Sequence, residues 1–226
     1  MTTIAAHALA PLLVLGAGGF ARETIETVRA VNGARPTFEI VGVLDDDEQR
    51  HGGQLSGVPV LGPMELARAR DALVVVCVGN PHTWSTRRRI VERLGLEDER
   101  YAVITHPAAA LGGSACFGPG CVVLAGAVAT ADVRVGAHVA VMPQAVLTHD
   151  DTVGAFSILA SGVRLGGGVQ IEAECYLGAG CLLRQGVRVG RGAQVGMGAV
   201  VLDDVPAGEV WAGVPAHRLR SVQDKP

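Results

Sequence analysis

Residues 135–165 read VGAHVAVMPQAVLTHDDTVGAFSILASGVRL, and within them an aliphatic residue returns every sixth place. Extending the step in both directions from this stretch gives Leu111, Phe117, Val123, Ala129, Val135, Val141, Leu147, Val153, Leu159, Leu165, Ile171, Leu177, Leu183, Val189, Val195 and Val201, all sixteen apolar. With about half of residues apolar, such a run arises by chance about once in 10^5. Glycine often follows directly, as at Gly112, Gly118, Gly136, Gly154, Gly166, Gly178, Gly190 and Gly196. Four places after each aliphatic residue stands something small or β-branched, such as Ala115, Cys121, Ala127, Val133, Val163, Cys175, Cys181 or Ala199. Asp151 breaks that rule.

A period of six fits neither the 3.6 of an α-helix nor the plain alternation of a long strand. The glycine density also opposes a helix. It fits a solenoid in which each wall is a short strand followed by a tight corner. Three walls make a triangular coil of eighteen residues, so the stretch holds roughly five coils, with aliphatic residues inside and small residues at the corners. The phase never slips between Leu111 and Val201, so no long loop is expected to leave the prism.

The 226 residues suffice for two modest domains. A net charge of −3 without a Lys/Arg block argues against nucleic acid as the main partner. No apolar run reaches a membrane-spanning length, and the apolar start from Met1 to Ala10 lacks the basic flank of a signal peptide. A cytoplasmic protein is expected. Of five cysteines, Cys121, Cys175 and Cys181 fall in small corner slots, which suits buried packing thiols. No Cys/His spacing marks a zinc site.

Ahead of the solenoid, strands alternate with helices. Strands are expected at Leu12–Leu15, Glu39–Leu44, Val58–Leu61, Leu73–Val78 and Tyr101–Ile104. Helices are expected at about Arg22–Val31, after Pro63, and from His82 to Leu94. This alternation predicts a small parallel sheet with helices on both faces. The expected division is residues 1–105, a Rossmann-like domain, and residues 106–226, a β-helix with its C-terminal cap.

Two places carry chemistry. Gly16-Ala17-Gly18-Gly19-Phe20-Ala21 joins the first strand to the first helix, where glycines let backbone amides approach an anion. A plain tight turn is the other reading. About a hundred residues is half of a full dinucleotide fold, which favours a single nucleotide over NAD. Asp45 and Asp46 end the second strand, placed to accept from hydroxyls or a base edge, or to serve as ordinary turn residues. The second place is Leu147-Thr148-His149-Asp150-Asp151. His149 stands two residues after an inward position, so its side chain leaves the wall. Acidic neighbours fix an imidazole tautomer and raise its basicity, and a rule broken locally, as at Asp151, tends to mark function.

The GAGG turn, the LeuAspAsp and ValGlyAsn strand ends and the hexapeptide repeat occur together in this order. In that combination the chain resembles the sugar O- and N-acetyltransferases related to bacillosamine-pathway N-acetyltransferases and sialic-acid O-acetyltransferases. The resemblance covers nearly the whole chain. It implies a left-handed β-helix, against the usual right-handed crossover preference, and a homotrimer with active sites between neighbouring prisms. It also implies acetyl-CoA as co-substrate and a nucleotide-linked amino sugar as acceptor. On that basis Gly18, Gly19, Phe20, Asp45, Asp46 and Gly79 match the sugar-nucleotide contacts. His149 matches the general base and Asp150 the acid that raises its basicity. Ile158, Gly167, Ala179 and Met197 match the acetyl-CoA contacts. Phe20 and Ile158 stand where the family often carries histidine. The ending Trp211–Arg218 resembles the family's solenoid cap.

Other readings are an O-acetyltransferase, a non-catalytic nucleotide-sugar scaffold and an NAD-linked enzyme. A β-helix carbonic anhydrase needs three histidines, and the repeat holds only His138 and His149. His51, His82, His106 and His138 are expected to be structural or on the surface.

Overall fold

The structure, a computed structural model, describes residues 9–79 and 85–223. The N-terminal part is a five-stranded sheet of β1 (Ala10–Leu15), β2 (Phe38–Leu44), β3 (Gln54–Leu55), β4 (Val58–Gly62) and β5 (Leu73–Val76), in the order β3-β4-β2-β1-β5. Four of these strands run parallel, and β3 adds an antiparallel edge that hydrophobic patterning did not reveal. The inner strands are nearly continuous Leu and Val, as strands covered on both faces must be.

One face is covered by α1 (Gly19–Ala34), which sends Ala21, Ile25 and Val28 onto Leu12, Val14, Val43 and Val75. The other face meets a 3-10 turn at Met64–Ala69 and α2 (Thr86–Leu94), through Met64, Ala67, Ile90 and Leu94. The expected helix start at His82 lies outside the described residues. Among the described residues no helix is long and apolar enough to cross a membrane.

The expected strand Tyr101–Ile104 is divided. Tyr101 makes only a bridge to Val74 on β5. The chain then crosses over, and β6 (Ile104–Thr105) pairs with Val122–Val123 inside the solenoid. Burial explains the crossing: Ile104 is fully enclosed between the sheet and the first coil, in one cluster with Leu12, Val75, Val122 and Leu124.

From Ala110 to Val201 the chain forms sixteen two-residue strands, one every six residues, and the second residue of each is the inward aliphatic one. Each strand pairs in parallel with the strand eighteen residues on, which makes three flat walls of a left-handed β-helix. The inward residues and the small corner residues form one continuous core. At its end, Glu209–Ala212 extends one wall and folds back antiparallel on His217–Ser221, closing the sheet edge with Trp211 against the core.

Where glycine follows an inward residue, as it does at eight of the sixteen, it is a packing requirement. A Cβ on Gly154 would press into the backbone of Ala173 and Glu172 one coil away, although Gly154 itself has no left-handed φ. The left-handed backbone falls two residues later, at every corner from Gly120 to Gly198, and six of those corners carry Asp132, His138, Gln144, Asp150, Phe156 and Glu174 instead of glycine. Gly154→Ala should therefore cost about 1–3 kcal/mol by overpacking, while Gly180→Asn, with open space around it, should cost less than about 1 kcal/mol because Asn tolerates that φ. Thermal unfolding of the two variants side by side checks the order.

Candidate active site

The glycine turn shapes the first half of the site. Gly16 has φ 103° and lies against Val78 and the Cys77 carbonyl, so the fold itself needs glycine there. Gly18 differs. Its φ is an ordinary −91°, and a Cβ on it would touch nothing within 4 Å. The protein's own packing leaves that space open at the N-terminus of α1, where amides face outward. A cavity of about 270 Å³ lies there, lined by Gly16, Gly18, Gly19, Phe20, Asp45 and Gly79 among others.

Asp45 belongs to this cavity and also builds it. Its carboxylate accepts the Ala17 amide at 2.6 Å and the Asp47 amide at 2.9 Å. Arg50, which the sequence reading passed over, donates to the Ala17 carbonyl at 2.7 Å. Asp46 points elsewhere, contrary to the expectation that it joins Asp45. It accepts the Met64 amide and pairs with Arg93 at 2.6 Å. Partial burial works against the charge, yet Arg93 and that amide hold the Asp46 carboxyl below its usual range. A strand alternates its side chains, and this pair straddles the strand end so that the two carboxylates serve opposite faces.

Phe20, Gly79 and Ile158 meet. A Cβ on Gly79 would lie 3.5 Å from Ile158 Cδ1 and 3.7 Å from Phe20 Cδ1. The two positions that depart from the resembled pattern therefore share one small cavity of about 190 Å³, with Met142, Ala179 and Arg87 also on its lining. A larger groove of about 630 Å³ runs from Phe20 along Arg22 and Glu23 to His106 and Met142.

A seam between the two parts of the chain holds these cavities in register, and the sequence reading missed it. Arg87, 2% exposed, donates to the carbonyls of Val78, Phe156 and Ser157. Burial pulls its guanidinium down to about 10, so it stays charged at neutral pH. Arg88 pairs at 2.5 Å with the buried Glu174. His138 stacks on Phe156 with ring centroids 4.9 Å apart and meets the edge of Tyr101. Burial, with Arg87 nearby, pushes the imidazole down to about 4, so His138 is a neutral packing residue. His138, Phe156 and Glu174 are spaced eighteen apart on one corner, each a non-glycine residue with positive φ. That triplet was the available signal.

The second half of the site is the corner at His149. Its side chain is 68% exposed, and Nδ1 lies 2.8 Å from Asp150 Oδ2. Gly167 lies directly below: a Cβ there would collide with His149 Nε2 and Cε1. The imidazole thus rests on a backbone surface cleared by the missing side chain. Asp151 is not part of this exposed group. It is fully buried, and its oxygens accept the amides of Thr148 at 2.7 Å and Val169 at 2.8 Å. An acidic side chain in an inward corner slot has to satisfy itself on backbone.

The triangular cross-section separates the two halves. Phe20 and Gly79 abut the wall that carries Ile158. Ala179 and Met197 lie eighteen apart along one edge of that wall, with Met197 81% exposed. His149 sits between the other two walls, after Val146–Leu147 and before Thr152–Val153. It occupies the edge opposite the glycine turn. Gly167→Ala should leave folding intact, since Gly167 has no left-handed φ, yet displace the imidazole and lower turnover by about 10²-fold. Circular dichroism alongside turnover checks this.

The pattern of the PglD N-terminal domain matches residues 11–94. UDP-N-acetylbacillosamine N-acetyltransferase of Bacillus subtilis (strain 168) is 31% identical over 115 residues, which is 50% of this chain and 50% of that protein. The chain thus matches about half the length of that curated relative. The acetyltransferase domain of PglB from Neisseria gonorrhoeae FA1090, in complex with acetyl coenzyme A, superposes with a TM-score of 0.82 at 31% identity, over 94% of this chain and 100% of that one. A histidine-to-asparagine mutant of perosamine N-acetyltransferase from Caulobacter crescentus, in complex with CoA and GDP-perosamine, gives 0.82 at 27% identity, over 95% and 99%. With a relative 31% identical matched over 94% of this chain and 100% of its own, the chain belongs to the sugar acetyltransferase family.

Proposed function

We propose that the protein transfers an acetyl group from acetyl-CoA to an amino group of a nucleotide-linked sugar, with His149 as general base, in a homotrimer. The carrying observation is the His149 corner. Asp150 Oδ2, 2.8 Å from Nδ1, is placed to accept from that nitrogen, and in this tautomer Nε2 is free to take a proton. Nε2 stands over Gly167, where a thioester can approach backbone without meeting a side chain.

The chemistry then asks little more of the chain. As the amine attacks the thioester carbon, His149 Nε2 removes its proton, and the imidazolium that forms is stabilised by Asp150. The thiolate of CoA leaves and takes up a proton. Amides at the N-terminus of α1, beside Gly18 and Gly19, hold the phosphates of the acceptor, with Asp45 and Arg50 keeping the turn in shape. Phe20, Gly79 and Ile158 offer the sugar an apolar wall. Ile158, Ala179, Met197 and Gly167 mark out where CoA runs. The relatives' complexes with acetyl coenzyme A and with CoA plus GDP-perosamine support this assignment of ligands.

The geometry of one chain supports the trimer. His149 and the glycine turn lie on opposite edges, so a single copy does not complete a site, whereas a neighbouring prism brings its His149 edge to this turn. His149→Ala should lower turnover by about 10² to 10⁴ with acetyl-CoA affinity retained, read as free thiol release with a panel of nucleotide-linked amino sugars that includes GDP-perosamine. Full activity in that variant sinks the mechanism. Gly18→Val should also be inactive, through weakened acceptor binding. Co-expressed in equal amounts, the two inactive variants should recover about a quarter of wild-type activity, because random mixing in a cyclic trimer rebuilds that share of sites. No recovery means that each site lies within one chain.

A further inference from the structure

Stacking at eighteen residues makes Thr148 directly comparable with its neighbours above and below. Thr130, Gly166 and Arg184 each donate their amide to the carbonyl seventeen residues on, at 3.1, 3.0 and 2.9 Å. Thr148 departs from the series. Its amide goes to Asp151 Oδ2 at 2.7 Å, and its hydroxyl donates instead to the Leu165 carbonyl at 3.2 Å. The strand register shows the same break. Val146 pairs with Arg164, but Leu147 has no partner there, whereas both residues pair in the coils before and after. The second carboxylate oxygen takes the Val169 amide at 2.8 Å, a donor that at Val163 and Val187 closes its own turn. One buried carboxylate thus bolts the residue before His149 to the coil that carries Gly167.

Filling the slot does not require this. Ser157 holds the equivalent place one corner on, fully buried, and its hydroxyl accepts the Cys175 amide at 3.1 Å. There the ladder survives, with Gly154 donating to the Ile171 carbonyl at 2.7 Å. A hydroxyl satisfies the next coil; only a carboxylate reaches back to Thr148.

We propose that Asp151 is a positioning residue for the base: by drawing the Thr148 amide out of the ladder, it sets the height and tilt of the His149 imidazole over Gly167. This rests on the reading of His149 as the base. Burial raises the Asp151 carboxyl to about 6, while the Val169 and Thr148 amides and His149 favour its charged form and Asp150 opposes it. His149 and Asp150 are the ionisable groups that act on it. The folded-state value lies above the usual 3.8, so the ionised carboxyl costs stability, a cost absent below about pH 4 and complete above about pH 6. As pH falls through about 6 the carboxyl gains a proton, one amide loses its acceptor, and the imidazole loses its support.

The test compares full-length Asp151→Ser with Ser157→Ala and His149→Ala, using acetyl-CoA and the acceptor that the sugar panel selects. Asp151→Ser should lose about 10-fold or more in kcat, with KM for acetyl-CoA unchanged within about twofold. Its Tm at pH 8 should equal or exceed that of the wild type, since the ladder bond re-forms and the buried charge is gone. On the acid limb, below about pH 6, the wild-type rate should fall more steeply with pH than that of Asp151→Ser. Ser157→Ala should lower Tm but leave kcat and the limb alone. Wild-type kcat and limb in Asp151→Ser overturn the proposal, as does an equal kcat loss in Ser157→Ala, which makes the effect one of general packing. Should Asp151→Ser not fold, Thr148→Val removes the hydroxyl that replaces the ladder bond; a similar kcat loss with KM for acetyl-CoA unchanged supports the proposal, and wild-type kcat overturns it. An active His149→Ala brings down the underlying reading as well, whereas an inactive one beside an unaffected Asp151→Ser defeats the positioning role alone.

Discussion

Each coil of this solenoid lies so close to the next that residue i always rests on residue i+18. The contact is tight enough that the glycine following an inward aliphatic residue has no space for a methyl group. From that one constraint the functional geometry follows. His149 lies over Gly167 because 18 residues separate them. Phe156 lies over His138 for the same reason, and Glu174 falls next in the column. The prism is a ruler on which a side chain's height and edge are set by its number in the sequence.

Much of this was legible in the chain. A repeat of six with no slip specifies both the wall and the inward set, and every inward residue fell where the period placed it. The strands β1, β2, β4 and β5 and the helix α1 also follow from apolar runs punctuated by glycine. What escaped is what local pattern does not encode. The strand expected at Tyr101–Ile104 is shared out between two sheets because its burial partners lie in both. Asp46 looks like a twin of Asp45, and partners remote in sequence, the Met64 amide and Arg93, 47 residues away, tell them apart.

The site shows the same division. The stacking of His149 on Gly167 was readable because the repeat carries its own coordinates. The contacts of Asp151 were not, since an exception to a rule marks a place without saying which way the side chain turns. The seam formed by Arg87, Arg88, His138, Phe156 and Glu174 left a trace that glycine counting passed over. Left-handed corners usually go to glycine, and the column that holds His138, Phe156 and Glu174 departs from this at three corners in succession. Where a side chain bears that backbone cost, it has a task; in this column the task is to grip α2 and its flanks.

The sheet at the N-terminus finishes its core with residues it does not own. Leu12, Val14 and Val75 are sealed from water not only by α1 but by Ile104, Val122 and Leu124 of the first coils. Cut free, that sheet would present a bare aliphatic face to solvent, and Arg87 on its own α2 would lose the Phe156 and Ser157 carbonyls. It is therefore a poor candidate for exchange among proteins as a self-sufficient module. A unit that kept this sheet closed would have to include the first turns of the prism, so the joint between the two parts is built into the core itself.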